Sequence, residues 1–243
     1  MDSASTKDQA TSADSSGRTR SSPSSDALVK LLLVRRERWS LTWTGRLLAL
    51  GLAAALVLIA GRNLGSFLSV SSPVGGQFLV VEGWMPVYAY REAAAQFRRG
   101  GYQKAIAATT LQYDGDLSDD LQEHSGAEKL IRFGLPADMV VMVSSPQIHK
   151  DRTFHAAMTV KDWLQHEGLT SASIDVVTVG AHARRSRLLY EKAFGDAVKV
   201  GVISIPDRRF DPDHWWRSSE GVRSVVDEFV AYLYVRTVFL APD

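Results

Sequence analysis

The stretch that decides the fold runs from residue 174 to residue 205 and reads IDVVTVGAHARRSRLLYEKAFGDAVKVGVISI. It begins with an apolar, valine-rich segment, Ile174 to Val179, and ends with another, Val198 to Ile205. Between them, Arg184 to Phe194 has the periodicity of a helix that stops at Gly195. Two apolar strands joined by one helix predict a parallel pair, because a helical crossover returns the chain in the same direction.

The same alternation of apolar runs and helical patterns extends upstream to Gln77 and downstream to the C-terminus. The predicted earlier strands are Phe78 to Val81, Ala105 to Thr109 and Met139 to Val143. The other predicted helices run from Pro86 to Gly100, through Leu121, Leu130 and Ile131 to Gly134, from Thr153 to Glu167, and from Ser218 to Leu240. Because the strands are continuously apolar, helices must cover both faces of the sheet. The sequence therefore predicts a three-layer α/β/α Rossmann-like parallel sheet.

Composition narrows the function classes. At 243 residues the chain can bury one sizeable core. We expect no nucleic-acid partner, because a net charge of +1 lacks the basic excess that displaces phosphate counterions. The absence of cysteine excludes disulfides, thiolate metal sites and a cysteine nucleophile.

The residues before the α/β domain differ sharply from it in composition. Residues 1–27 are dominated by Ser, Asp, Thr, Ala and Gly and contain almost no large apolar side chains, and such a segment cannot repay the entropy of ordering. A basic stretch follows and leads into an uncharged apolar run, Leu47 to Gly61. The predicted organisation is a disordered and basic cytoplasmic tail (1–40), a transmembrane anchor helix (41–68), a linker (69–76) and the α/β domain (77–243).

The apolar run is shorter than the roughly 20 residues that cross a bilayer core. However, Arg46 and Arg62 at its two ends can extend towards the headgroups. Apolar residues on either side lengthen the span, and these are Leu41, Trp43, Leu64, Phe67 and Leu68. One transmembrane helix before the sheet is the prediction, and a cleaved signal peptide or a soluble core helix are its alternatives.

Basic residues are concentrated before the span, at Lys30, Arg35, Arg36, Arg38 and Arg46. Arg62 stands alone after it until Arg91. The positive-inside rule therefore predicts a single-pass protein of the cytoplasmic (inner) membrane with its N-terminus in the cytoplasm. The domain after Gln77 is then periplasmic or otherwise extracytoplasmic.

Ligands of such sheets bind beyond the carboxyl ends of the strands. The first strand ends in Glu82, Gly83 and Trp84, where a carboxylate, a glycine that permits close backbone approach and an aromatic ring share one turn. We consider Glu82 a candidate catalytic residue, and Gly83 and Trp84 candidate binding residues. The alternative is a structural turn with Trp84 packed on the sheet.

Two further junctions carry candidate anion-binding residues. After the third strand, Arg152 and Thr153 lie at a helix start that can grip a phosphate, although Asp151 there has the alternative role of capping the helix. After the fourth strand, His182 is a candidate general acid or base, and Arg184 and Arg185 are candidate substrate-binding residues. A solvated charge run is the alternative at this second junction.

Other patterns are weaker. An acidic segment invites a metal interpretation, but its spacing fits no EF-hand and we predict no metal; its residues are Asp114, Asp116, Asp119, Asp120 and His124. Asp211, Asp213 and His214 either line the crevice or form an ordinary turn. A G-x-G-x-x-G motif after the first strand and a G-x-S-x-G motif are both absent, so no cofactor is identified.

The segment Val177-Thr178 followed by His182-Ala183-Arg184-Arg185 resembles the signature of the ElyC/SanA/YdcF family, also called domain of unknown function 218. The resemblance covers about Phe78 to Tyr232. Three weaker similarities are Thr153 with Ala157, Trp216, and Glu228. The sequence departs from the family's pattern in three places, which are Glu82-Gly83-Trp84 after the first strand, Thr109-Thr110-Leu111 after the second, and His155-Ala156 after Thr153.

The resemblance implies a role in cell-envelope and peptidoglycan biogenesis. We therefore expect a membrane-anchored protein that binds an anionic, phosphate-bearing lipid-linked or cell-wall intermediate, with action on the polyprenyl carrier as one implied activity. Transferase and hydrolase chemistry both remain open. The alternative function is a non-enzymatic scaffold, or a module on the same fold that binds S-adenosylmethionine or a nucleotide.

Overall fold

The computed structural model describes residues 42–110, 125–145, 150–169 and 171–241. Its first element is a helix, α1 (Trp43–Leu68), of 26 residues. At 1.5 Å per residue this helix is about 39 Å long, which exceeds the roughly 30 Å hydrocarbon core of a bilayer. The predicted tail, residues 1–40, lies outside the described residues.

The middle of α1 is exposed rather than packed. Val57, for example, is 71% exposed and Leu48 is 75% exposed. The most apolar 18-residue window of the helix has no buried residue and is apolar enough to cross a membrane. A helix in the core of a soluble protein would be buried, so the exposure argues against the core-helix alternative.

The predicted α/β fold class is confirmed. Five strands form one all-parallel sheet in the order β3-β2-β1-β4-β5. They are β1 (Phe78–Glu82), β2 (Lys104–Thr110), β3 (Val140–Ser145), β4 (Ala172–Val179) and β5 (Val198–Ile205). The helices of the domain are α2 (Val87–Gly100), α3 (Gly126–Arg132), α4 (Arg152–His166), α5 (Ala183–Phe194) and α6 (Ser219–Thr237).

Most element boundaries differ from the predicted ones by three residues or fewer. Met139, predicted to begin β3, lies instead in a short 3₁₀ turn, Ala137–Met139. The helix predicted to run through Leu121 starts at Gly126 in the described part of the chain, where Ser125 and Glu128 form a capping box. The acidic segment from Asp114 to His124, for which a metal was considered, lies outside the described residues.

Each face of the sheet packs against its own set of helices. Ile174 and Val176 of β4 lie on one face, in a core with residues of α4 and α5. Val177 and Val179 lie on the other face, in a core with residues of α2 and α3. Alternate residues of one strand thus enter different cores, and this explains why β4 is almost continuously apolar.

The linker between α1 and β1 is hydrogen-bonded to the sheet. Ser72 exchanges backbone hydrogen bonds with Val202 of β5, and the backbone nitrogens of Val74 and Gly76 donate to the buried carboxylate of Asp175. A Cβ atom at Gly201 would overlap this carboxylate, so only glycine fits there. The end of α1 and the domain are therefore joined by an ordered segment.

The strand order contains one switch point. From β1 the chain moves outward to β2 and β3 and then returns to form β4 on the other side of β1. The connections after β1 and β4 consequently leave the sheet in opposite directions, which opens a crevice between their carboxyl ends. The candidate site lies at these two ends.

Candidate functional site

The structure brings Glu82 and His182 together at the switch point. Glu82 is the last residue of β1, and His182 closes the 3₁₀ turn that joins β4 to α5. Oε2 of Glu82 lies 3.6 Å from Nε2 of His182. Both residues are buried, with exposed fractions of 3% and 8%. Two residues that are 100 positions apart in the sequence thus share one site.

Three neutral donors hold the Glu82 carboxylate in place. The indole nitrogen of Trp84 donates to Oε2 at 3.0 Å, and the hydroxyl of Thr178 in the neighbouring strand donates to the same oxygen. The hydroxyl of Ser186, one turn into α5, donates to Oε1 at 2.8 Å. A buried carboxylate needs such partners, because without them its desolvation would be costly. Glu82 is therefore fixed in position beside His182.

Glu228 of α6 holds the other side of the His182 ring. Its Oε1 lies 2.8 Å from Nδ1 of His182, and Arg185 donates to its two oxygens at 2.7 and 3.0 Å. Burial alone would raise the pKa of Glu228, but the hydrogen bonds from His182 and Arg185 outweigh burial and lower this pKa to about 2. Glu228 is therefore a carboxylate at neutral pH.

The proton on His182 has two possible places. Nη2 of Arg185 lies 2.8 Å from Nδ1, the same atom that contacts Glu228. Because a guanidinium can only donate and a carboxylate can only accept, Nδ1 either donates to Glu228 or accepts from Arg185. The two states differ in whether Nε2, on the Glu82 side, is bare or protonated. The partner of Nδ1 therefore determines which tautomer His182 presents to Glu82.

Nε2 of His182 has no hydrogen-bond partner. It is one of three buried side-chain nitrogen or oxygen atoms in the described residues that make no hydrogen bond. Such an unpaired buried atom is costly, and native structures rarely tolerate it without a ligand, a water molecule or a functional reason. The orphaned nitrogen faces the Glu82 carboxylate and so marks the centre of the candidate site.

Trp84 covers the pair from the outside. Its ring meets the His182 ring edge to face, with centroids 4.9 Å apart, and 54% of the residue is exposed. The hydrogen bond from its indole nitrogen to Glu82 holds it there. A ligand that reaches Nε2 from this side would have to displace Trp84.

Gly83 has a structural role in the turn that follows β1. A Cβ atom at this position would lie 2.7 Å from the Cβ of Thr109 in β2, closer than real atoms come. The turn is also tied to α2, because the hydroxyl of Tyr90 donates to the carbonyl of Gly83 at 2.7 Å. Burial, and then the charge of Glu82, raise the pKa of Tyr90, so this hydroxyl remains a donor.

The other predicted binding residues lie on two different helices. The guanidinium of Arg184 stacks over the ring of Phe67 at 3.9 Å and donates to the Phe67 carbonyl, so it faces α1 and not His182. Arg152 and Thr153 occupy the first turn of α4, which follows β3. In the sheet, β2 lies between β3 and β1.

Two alternatives concerned aspartates. Asp151 occupies the cap position of α4 but makes no side-chain capping bond, so it does not cap in the expected way. Asp211 accepts from the backbone of Asp213 and contacts the ring of His214 at 2.8 Å, and these are the contacts of an ordinary turn. In the described ranges, no three potential ligands among His, Asp and Glu gather as a metal site.

Three residues of the site were not assigned a role from the sequence. Thr178 was visible as a hydroxyl in an apolar strand, and Ser186 follows His182 by one helical turn. Glu228 stood out only as part of a resemblance. Its signal is a carboxylate on the face of α6 that also carries the buried residues Gly221, Val225 and Val235. An acid on a buried helix face needs a partner.

Comparisons with protein-family models, with curated proteins and with solved structures give no match to this chain. The chemistry of the site therefore has to be argued from its own geometry. A histidine oriented by one carboxylate and facing a second is suited to acid–base work on a ligand placed between them.

Proposed function

We propose that this chain is a single-pass membrane protein of the cell envelope that binds an anionic, phosphate-bearing, lipid-linked or cell-wall intermediate at the switch-point crevice. One observation supports this most strongly: the buried Nε2 of His182 is unpaired and faces Glu82 where parallel sheets bind ligands. The envelope assignment rests on the family resemblance. The exposed apolar surface of α1 supports the membrane assignment.

In this proposal His182 acts as general acid or base. Glu228 orients its ring through Nδ1, and Glu82 orients the reacting group or shares its proton. Arg185 supplies the anion contact through Nη1, since the described residues occupy only its Nε and Nη2 atoms. Arg185 thus has two tasks, to neutralise Glu228 and to face the ligand.

The first prediction concerns topology. The chain contains no cysteine, so single cysteines can be introduced and labelled selectively. We expect a membrane-impermeant maleimide to label Arg99→Cys in intact cells from which any outer membrane has been removed, and to label Ser16→Cys only after lysis, because basic residues keep the N-terminus inside. If Ser16→Cys is labelled before lysis and Arg99→Cys is protected, the N-terminus is outside, and both the predicted topology and the proposed compartment of the domain are wrong.

The second prediction concerns the site. Purified full-length protein is extracted with organic solvent, and the released ligands are identified by mass spectrometry. We expect the wild type to retain a phosphate-bearing species, and Arg185→Lys to retain about tenfold less, because lysine can still pair with Glu228 but lacks the planar fork. His182→Asn should keep a donor near Nδ1 and lose Nε2. If His182 performs the chemistry, this variant retains a substrate that differs in mass from the wild-type ligand.

Two variants serve as controls for this experiment. Arg187→Ala removes an arginine of the same helix that pairs with Glu191, and His214→Asn makes the same exchange at a histidine beside Asp211. Both should retain the wild-type ligand in wild-type amount. If Arg185→Lys and His182→Asn also do so, the switch-point residues have no part in binding and the proposed site is wrong.

A non-enzymatic scaffold is the second candidate function. The observation that favours it is Trp84, which covers the His182 and Glu82 pair in this structure. The same extraction separates the two functions. If the wild type and His182→Asn retain the same ligand, and Arg185→Lys retains much less of it, the site binds the ligand without converting it.

A further inference from the structure

A groove lies where the last apolar turns of α1 meet the 3₁₀ segment Pro212–Arg217, which precedes α6. Its volume is about 340 Å³, within the range of sites that hold small molecules. The lining residues are Val57, Leu58, Gly61, Arg62, Trp215 and Trp216. One wall is therefore the anchor helix itself, and the other is a pair of tryptophans.

The groove is lined by apolar and aromatic residues and by one charged residue, Arg62. The guanidinium of Arg62 stacks over the ring of Trp216, 5.2 Å from its centroid. In the part of the chain that the structure describes, no carboxylate pairs with Arg62, and none pairs with the exposed Arg217. A largely apolar groove with an arginine that no described carboxylate neutralises fits a molecule that has a hydrocarbon chain and an anionic head.

The position of the groove along α1 identifies the source of such a molecule. Arg62 closes the uncharged run that starts after Arg46, so it marks the level at which the helix leaves the hydrocarbon. Val57 and Leu58, which are 71% and 61% exposed, then lie at the depth of the acyl chains. Tryptophan and arginine are the residues that favour the boundary between chains and headgroups.

We propose that this groove binds one phosphate-bearing lipid of the bilayer, with an acyl chain along Val57 and Trp215 and the phosphate at Arg62. The proposal rests on the proposed membrane anchorage but not on the proposed chemistry of His182. A water-soluble partner is a poor occupant, because half of the lining belongs to a helix face at membrane depth. Trp215 also belongs to the same core cluster as Ala181, the residue that precedes His182.

The test is native mass spectrometry of the full-length protein in detergent, titrated with phosphatidylglycerol or with a diglucosyl diacylglycerol of the same chains. We expect the wild type to bind the phosphate lipid about tenfold more tightly than the sugar lipid, because a charge-assisted contact at Arg62 is lost with the sugar. Arg62→Gln should lose about the same factor, and Arg62→Lys should recover most of it. The control is Arg99→Gln, which removes an exposed arginine of α2 and should bind as the wild type does.

Four results would overturn the proposal. Equal binding of phosphatidylglycerol by Arg62→Gln and by the wild type would show that Arg62 does not contact the headgroup. Equal binding of the two lipids would show that the groove does not recognise the phosphate. If inorganic phosphate binds as tightly as phosphatidylglycerol, and its binding depends equally on Arg62, the site holds a free anion rather than a lipid. Release of the chain from membranes by alkaline carbonate would overturn the anchorage together with this site, whereas the Arg185 test stands apart from all four outcomes.

Discussion

Replacing Asp175 with alanine is expected to destabilise the domain by about 3 kcal/mol or more. Asp175 is fully buried in β4 and accepts from the nitrogens of Val74 and Gly76 and from the hydroxyl of Tyr102. Alanine leaves all three donors without an acceptor, and each unpaired buried donor costs about 1–3 kcal/mol. The change also releases the linker that joins α1 to the sheet. Denaturant unfolding of the full-length protein in detergent measures the free energy of unfolding.

Tyr102→Phe is the matched control for this change, because it removes one of the three donors and leaves the two backbone bonds. We expect it to cost about 1 kcal/mol, the ordinary net value of a hydrogen bond. If Asp175→Ala is no more destabilising than Tyr102→Phe, the linker is not held by this carboxylate. Limited proteolysis at residues 69–76 gives an independent measure, because a released linker is cut faster.

Asp175 shows why the fold was easier to predict than the contacts that stabilise it. The sequence of β4 remains predominantly apolar although it contains Asp175, so the strand was predicted correctly. The partners of that aspartate were not predictable, because Val74 and Gly76 lie about one hundred residues away and contribute only backbone nitrogens, which leave no trace in the sequence. Local periodicity reports which face a residue occupies, and says nothing about what it meets there.

The candidate site was predicted to the extent that sheet topology determines it. Glu82 and His182 each follow a strand, and parallel strands present their carboxyl ends at one edge, so their proximity follows once β1 and β4 are neighbours. Sheet topology could not predict which of the two arginines, Arg184 or Arg185, faces the site. Consecutive residues on a helix point about 100° apart, and here one faces Phe67 of α1 while the other faces Glu228 of α6.

Arg185 also shows how a partner outside the motif changes the expected role of a residue. From the sequence it was an arginine at the rim of a crevice, free to bind an anion. In the structure its side chain is only 20% exposed and is paired with Glu228. Truncating it to alanine would therefore lower stability as well as binding, because Glu228 would lose two of its three hydrogen bonds to His182 and Arg185. For this reason the exchange proposed above is lysine.

Glu228→Gln is expected to lower the free energy of unfolding by about 3 kcal/mol at pH 7 and to remove a step in its pH dependence. The hydrogen bonds from His182 and Arg185 hold the folded pKa near 2, below the ordinary value of 4.5. A carboxylate with a lowered folded pKa stabilises the protein above the unfolded pKa and loses that contribution as the pH falls towards the folded pKa. The window is therefore pH 4.5 to 2, and lowering a pKa from 4.5 to about 2 corresponds to about 3 kcal/mol.

The measurement is denaturant unfolding of the wild type and of Glu228→Gln at several values between pH 6 and pH 3. The difference between the two isolates Glu228 from the other carboxylates, which titrate in both proteins. It should be constant near pH 6 and shrink steadily below pH 4.5. Glu191→Gln is the control, because Glu191 forms an exposed pair with Arg187 that contributes less than about 1 kcal/mol. A difference that stays constant down to pH 3, or one no larger than that of Glu191→Gln, would mean that Glu228 does not hold the His182 ring as an ionised partner.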